Sequence, residues 1–205
     1  MFRLSRPSRR DVDEFLQTSR ELPLSYEPIG LAQQGRSGFR LDQQATIVGA
    51  GEQVYRRAVD ALHAWAHFDL GWLQLHPRGA AIVPGTVVAV LVQYLGFWSL
   101  NGCRVVYAIG SRDSTECGFA YGTLTNHAES GEEIFKVRFD PRSGDVSYVI
   151  RAVSRPQAPL AWLGLPLARR LQRRFRLASA RALARAVGSD LELSVFSRSD
   201  PGARP

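Results

Sequence analysis

The chemistry this sequence offers sits in a tyrosine, a histidine and two adjacent glutamates. Tyr121 lies in one strand-like run, His127 in the following loop NHAESG, and Glu132 and Glu133 open the next run. Side chains of 132–139 alternate. Glu133, Phe135, Val137 and Phe139 share one face of a strand, and Glu132, Ile134, Lys136 and Arg138 share the other. The second face is mostly polar and reads as solvent-facing, with Glu132 pairing to Lys136. Glu133 heads the inward row, where a carboxylate is costly unless it is paired or working.

An imidazole and a carboxylate at the mouth of a cavity can exchange protons or bind a polar ligand head, so Glu133 and His127 are the catalytic candidates. The same residues also read as scaffold, with His127 satisfying loop backbone groups. Arg104 follows a turn and precedes a buried strand, which makes it either the counter-charge for Glu133 or half of a structural ion pair. Tyr121 and Thr123 share a face with Cys117 and Phe119. Tyr148 and Ser154 fall on the inner row of a later strand, with Arg151 and Arg155 outside. The expected ligand-facing set is therefore Tyr121, Thr123, His127, Glu133, Phe135, Arg104, Tyr148 and Ser154. Trp65, Trp72, Trp98 and Trp162 are expected to line the core.

His63 and His67 stand four apart on a predicted helix, a spacing that suits a metal. No nearby Cys, Asp or Glu completes the set, so neither a metal nor another cofactor is expected. Glycine-rich nucleotide loops, HExxH, GxSxG and zinc spacings do not occur.

These residues need elements to hold them. Ser8 caps a first short helix with Val12, Phe15 and Leu16 on one face, and 22–40 reads as irregular. A strand over 43–50 runs into a helix over 52–66 with Val54, Tyr55, Ala58, Ala61, Leu62 and Trp65 at helical spacing. Six more strands follow over 70–76, 86–94, 104–110, 117–125, 132–139 and 146–154. Most are separated by turn clusters such as GFWSLNG, SRDST and DPRSGD, so sequential hairpins imply an antiparallel meander. A long helix then begins near Pro159, with Pro166 at a natural first position. Its apolar stripe is Leu167, Leu171, Phe175, Ala178, Ala182 and Ala186. The expected organisation is an N-terminal extension over 1–40 packed on the core, a main domain over 41–188, and a loose tail over 189–205.

Charge is unevenly placed. Of the net +7, all the excess lies in 146–189, which has nine arginines and no Asp or Glu; the remainder has 17 basic and 19 acidic residues. Arg169, Arg170, Arg173, Arg174, Arg176, Arg181 and Arg185 fill the side of the last helix opposite its apolar stripe. They offer a docking face for an anionic membrane surface or nucleic acid. Aromatic interleaving for base stacking is scarce there. The two cysteines form no framework and no signal peptide is visible, so a cytoplasmic setting is expected. The uncharged stretch 79–103 has spanning length, yet its Pro84-Gly85, Asn101-Gly102 and β-branched run read as two buried strands, with no transmembrane segment.

The order of strand, helix, six strands and long helix resembles the helix-grip superfamily of START lipid-transfer and pollen-allergen proteins, over about 43–187. That resemblance implies an α+β fold with a seven-stranded antiparallel curved sheet wrapped around the last helix, and a cavity between them. Tyr121-Gly122-Thr123-Leu124, His127 and Gly131-Glu132-Glu133 with Phe135 resemble the signature of an uncharacterised bacterial and plant family, filed as domain of unknown function nineteen-ninety. Gly49-Ala50-Gly51, Gly71-Trp72, Leu95-Gly96-Phe97-Trp98, Arg104-Val105-Val106-Tyr107 and Ser154-Arg155-Pro156 are similar too, while Asn101-Gly102-Cys103 departs where a proline is expected. Three functions follow as expectations. The first is binding a small hydrophobic or amphipathic molecule in the cavity. The others are cyclase, hydratase or lyase chemistry through Glu133 and His127, and docking on an anionic surface through the arginine-rich helix.

Overall fold

The expected strands form, and they pair in the expected sequence. The computed structural model describes residues 2–157, 165–189 and 195–199. Strands β1 (Phe2–Arg3), β2 (Arg40–Ala50), β3 (Leu73–His76), β4 (Val87–Tyr94), β5 (Phe97–Gly110), β6 (Glu116–Thr123), β7 (Glu129–Phe139), β8 (Asp145–Pro156) and β9 (Val195–Ser199) make one sheet. Helices α1 (Arg9–Ser19), α2 (Leu31–Gln34), α3 (Glu52–His63) and α4 (Leu165–Ala186) accompany it, with a 3-10 turn at Ala66–Phe68. The sheet order is β3-β4-β5-β6-β7-β8-β2-β9, all antiparallel, with β1 on the end of β5. Register shifts between Ile47 and Gly49 and between Val105 and Tyr107 bend the sheet. The seven strands β2 to β8 curl around α4 in the helix-grip arrangement. The β4–β5 and β6–β7 turns, the start of β2 and the end of β8 share one end of the sheet, called here the open end.

Register aligns the inner face in rows. Tyr121, Glu133, Ala152 and Asp42 form one row across β6, β7, β8 and β2; Phe119, Phe135, Ile150 and Gln44 form the next, further from the open end. The second row is sealed, with Phe119, Phe135 and Ile150 almost wholly buried. Against it pack Trp65, Phe68 and, from α4, Phe175, whose ring centroid lies 5.3 Å from that of Phe68. The Tyr148 hydroxyl meets the Ser179 hydroxyl at 2.9 Å, fixing α4 to β8. The deep half of the grip is therefore filled with side chains.

On the outer face, α1 buries Val12 with Leu91 and Leu100, with Phe15 and Leu16 packed alongside. Ser8 caps α1 as expected, and Asp11 returns a bond to the Ser8 backbone, making the cap reciprocal. The irregular segment contains α2, and it packs Tyr26, Leu31 and Ala32 against Ile134 and Val153. This covers the face that alternation assigns to solvent.

Other expectations change. The GFWSLNG cluster is not a loop: Leu95 and Gly96 alone make the turn, both at positive φ, and Asn101-Gly102 lies inside β5. Mid-strand Gly102 faces the Asn126 side chain, which fills the space a Cβ would need. Helix α3 stops at His63 because Trp65 takes a left-handed conformation (φ 59°). His67 therefore falls in the 3-10 turn and is buried, while the His63 Nε2 lies 3.9 Å from the Cys117 Sγ. Among the described residues no group of His, Cys, Asp and Glu could hold a metal. Within the supposed tail, 195–199 forms β9 on the otherwise open edge of β2, where unpaired N–H and C=O groups await a partner. Pro159 and Trp162 lie outside the described residues. No described helix is long and apolar enough to cross a membrane.

Candidate functional site

The alternation of β7 sends its two glutamates to opposite faces, and each is met by a different set of partners. Glu133 points inward. The Tyr121 hydroxyl, its neighbour in the row, donates to Glu133 Oε2 at 2.9 Å. Burial drives the Glu133 carboxyl from its ordinary 4.5 to about 7. The Tyr121 bond and the positive charge of Arg176 hold it down, while Glu129 and Asp42 push it up. Its inward position notwithstanding, Glu133 keeps partial contact with solvent, as do Ala152 and Ser154 beside it and Phe175 above. Glu133 and Ala152 of the first inner row are thus part-exposed, whereas Phe119, Phe135 and Ile150 of the second are sealed.

Three carboxylates share this recess. Glu129 starts β7 and accepts from Gln172 Nε2 on α4 at 2.8 Å through each oxygen. Burial raises its pKa, opposed by hydrogen bonds from Ser154 and Gln172 and assisted by Asp42. Asp42, on the row of Glu133, accepts from Arg40 Nε at 2.9 Å and Nη2 at 3.1 Å. Arg176 reaches over from α4 to within 3.9 Å of Asp42 Oδ1, with only 13% of its side chain exposed. Glu133 and Asp42 stand two strands apart, about 10 Å between backbones. Three clustered carboxyls with one guanidinium facing them from α4 suit a ligand head that donates hydrogen bonds or carries positive charge. It also suits proton exchange near neutral pH.

The expected site set divides. Glu133, Tyr121 and Ser154 come together in the recess. Phe135 and Tyr148 lie beneath it, in the sealed core. Arg104 does not serve Glu133. Its Nη2 donates to the backbone carbonyls of Arg20 and Leu22 on the outer face, both at 2.9 Å, because its position in β5 points outward. Arg176 supplies the counter-charge instead, so it leaves the proposed surface-binding set. Thr123 is engaged by its surroundings: its hydroxyl accepts from Gly131 N at 2.8 Å and lies 2.6 Å from the Ser25 hydroxyl. His127 is a loop residue. Its Nδ1 accepts from Glu129 N at 2.9 Å, and burial lowers its pKa to about 4, leaving it neutral and apart from the partners of Glu133.

Glu132 overturns its solvent-facing assignment. It is 2% exposed and accepts four hydrogen bonds: from the Tyr26 hydroxyl at 2.6 Å, the Tyr107 hydroxyl at 2.7 Å, Gly30 N at 2.9 Å and Ala32 N at 3.0 Å. Gly122 is its cross-strand partner, and a Cβ there would strike the Tyr26 hydroxyl, so the glycine opens the way to the carboxylate. Lys136 pairs with Glu116 at 2.8 Å. This carboxylate is a saturated structural knot.

Asp42, Glu129, Gln172 and Arg176 are the recess residues that sequence reasoning missed. Asp42 alternates with Gln44, Thr46 and Val48 along β2, a period that marks an inner row. The expected strand began one residue after Asp42, at 43. A last member of the interior is His67, wholly buried, its ring stacked 5.7 Å from Trp65 and 5.0 Å from Phe135. Neither ring nitrogen has a partner among the described residues, and burial lowers its pKa to about 3.

The family model described as Domain of unknown function (DUF1990) matches residues 25–182. A UPF0548 protein of Dictyostelium discoideum is 31% identical over 93% of this chain and 97% of its own length. One from Deinococcus radiodurans is 35% identical over 92% of this chain and 100% of its own. A hypothetical protein from Helicobacter pylori, solved by crystallography, shares the fold at 11% identity with a TM-score of 0.50, over 78% of this chain and 94% of that one.

Proposed function

We propose that this chain, which belongs to the DUF1990 family, binds a small amphipathic molecule in the recess between the open end of the sheet and α4. One observation carries the reading. Above the sealed second row of the inner wall, Glu133 is an inward carboxyl that keeps partial solvent contact, flanked by Asp42, Glu129 and Arg176. A purely structural carboxylate looks like Glu132, saturated by donors and closed to water. Glu133 accepts from the Tyr121 hydroxyl alone among the described residues. The polar head of the ligand donates to Glu133 and Glu129, and its apolar part lies on Phe175 and the β8 side of α4.

The probe pair dodecylamine and dodecanoate tests this, followed by tryptophan fluorescence or native mass spectrometry. The acid-rich wall favours the amine by about tenfold or more, a discrimination worth 1.4 kcal/mol, and Glu133→Gln removes most of that preference. Equal affinity for the two probes, or no saturable binding of either, defeats the proposal.

A second reading rests on the same carboxyl. A group poised near pH 7, hydrogen-bonded to a tyrosine and open to solvent, matches a general acid–base. In that case Glu133, with Tyr121 polarising it, transfers the proton in a cyclase-, hydratase- or lyase-type step. His127 takes no part, being neutral and turned to its own loop.

A further inference from the structure

We propose that the open end docks on an anionic phospholipid bilayer, with the β4–β5 turn inserting among the lipids and the first turns of α4 resting on the headgroups. Five large hydrophobic side chains are exposed among the described residues; two of them, Leu95 and Phe97, flank this turn, and a third, Leu4, follows the strand β1 that pairs with the start of β5. Leu95 is 71% and Phe97 50% exposed; Leu4, 79% exposed, follows Arg3, whose cross-strand partner is Trp98.

The backbone sharpens the point. Leu95 makes the turn at φ 50°, in the left-handed region that disfavours residues with a Cβ and suits Asn or Gly. A leucine there costs the fold conformational energy and gains it no burial. A side chain placed against local preference and into solvent is explained by an apolar partner outside the chain.

Charge lies beside it. Arg174 stacks its guanidinium 4.5 Å over the Trp72 ring, and the Trp72 carbonyl accepts from Gln93 N at 2.8 Å, two residues before Leu95. The first turns of α4 therefore flank the tip, and Arg169, Arg170 and Arg173 on them are exposed. Of the nearest acids on α1, Asp11 is ion-paired to Arg3 and Glu14 to Arg10; Asp13 faces the side of His76. An apolar wedge rimmed by arginines matches a bilayer with anionic headgroups. A nucleic acid would use the arginines and leave Leu95 and Phe97 in water. Docking of this end does not require an occupied recess, although it would set the recess mouth at the lipid surface.

Co-sedimentation of the full chain with vesicles decides the matter, using phosphatidylcholine alone and phosphatidylcholine with phosphatidylserine as the anionic minority. The chain should partition onto the anionic vesicles, less so as salt rises, and weakly onto the neutral ones. Leu95→Asn combined with Phe97→Ser should cut partitioning at least tenfold while leaving the thermal midpoint unchanged or higher, since Asn suits the turn. Arg169→Gln, Arg170→Gln and Arg173→Gln should each cost about fivefold, the effect of one juxtamembrane charge. Failure to bind the anionic vesicles overturns the proposal, and so does undiminished binding by the tip variant. Stronger binding to duplex DNA than to vesicles at equal phosphate would make nucleic acid the partner and overturn it as well.

Discussion

Glu133→Gln should stabilise the protein in mild alkali. The carboxyl rises from 4.5 to about 7 on folding, chiefly through burial. Between those values the native state holds a proton that the unfolded state has lost, so stability falls as pH climbs through that window. The full shift corresponds to about 3 kcal/mol. Partial solvent contact screens the group, and about 1–2 kcal/mol is the realistic share. Gln keeps the shape and still accepts from the Tyr121 hydroxyl, so only the ionisation is removed. Urea unfolding of both proteins at about pH 5 and about pH 8 measures the difference. Near pH 5 the two should match to within a few tenths of a kcal/mol. Near pH 8 the variant should lead by about 1–2 kcal/mol, a rise of about 2–6 °C in midpoint. A variant that is less stable than the wild type near pH 8 would refute the reasoning, because it would mean that an ionised Glu133 is a needed partner of Arg176.

Three further outcomes follow from the same geometry. Glu132→Gln presents an amide N–H₂ to donors that need acceptors, and should cost about 2–4 kcal/mol in chemical denaturation. His67→Leu removes a ring whose pKa falls to about 3 on burial; the wild type loses stability as pH drops below about 6.5, and the variant should lose less over that range in acid unfolding curves. Phe175→Ala removes part of the α4 side of the recess and should cost about 2–3 kcal/mol, less than a sealed phenylalanine because the ring is already part-exposed; thermal unfolding reads it directly.

Much of this architecture was legible because turn chemistry and period-two alternation are local. The seven strands, the Ser8 cap and the inward row of Glu133 all follow from neighbours within a few residues. Glu132 was misread for the opposite reason. Alternation tells which face a side chain takes, but only the tertiary path of 24–32 tells that this face is covered. Arg104 failed in the same way: its outward side chain meets carbonyls more than eighty residues distant in sequence. A local signal did exist in Gly122, whose missing side chain sits opposite Glu132, yet it becomes readable only once the register is known. Asp42 escaped because the expected strand began at 43, although Asp42, Gln44 and Thr46 form its buried side; Arg176 escaped because one arginine among seven on a helix reads as part of a solvated face.

The Glu132 knot has a consequence for the birth of the molecule. Its donors on Tyr26, Gly30 and Ala32 precede the carboxylate by 100 to 106 residues. During synthesis these groups leave the ribosome first and must wait for β7, some 5–20 s at ordinary elongation rates. Through that interval Tyr26, Leu31 and Phe39 have no sheet to cover and remain targets for holdase chaperones. The closing of the knot is thus a late step, dependent on contacts of long sequence separation, which slow folding. Interrupted translation between Ala32 and Glu132 would yield a chain whose leading segment has no place to go.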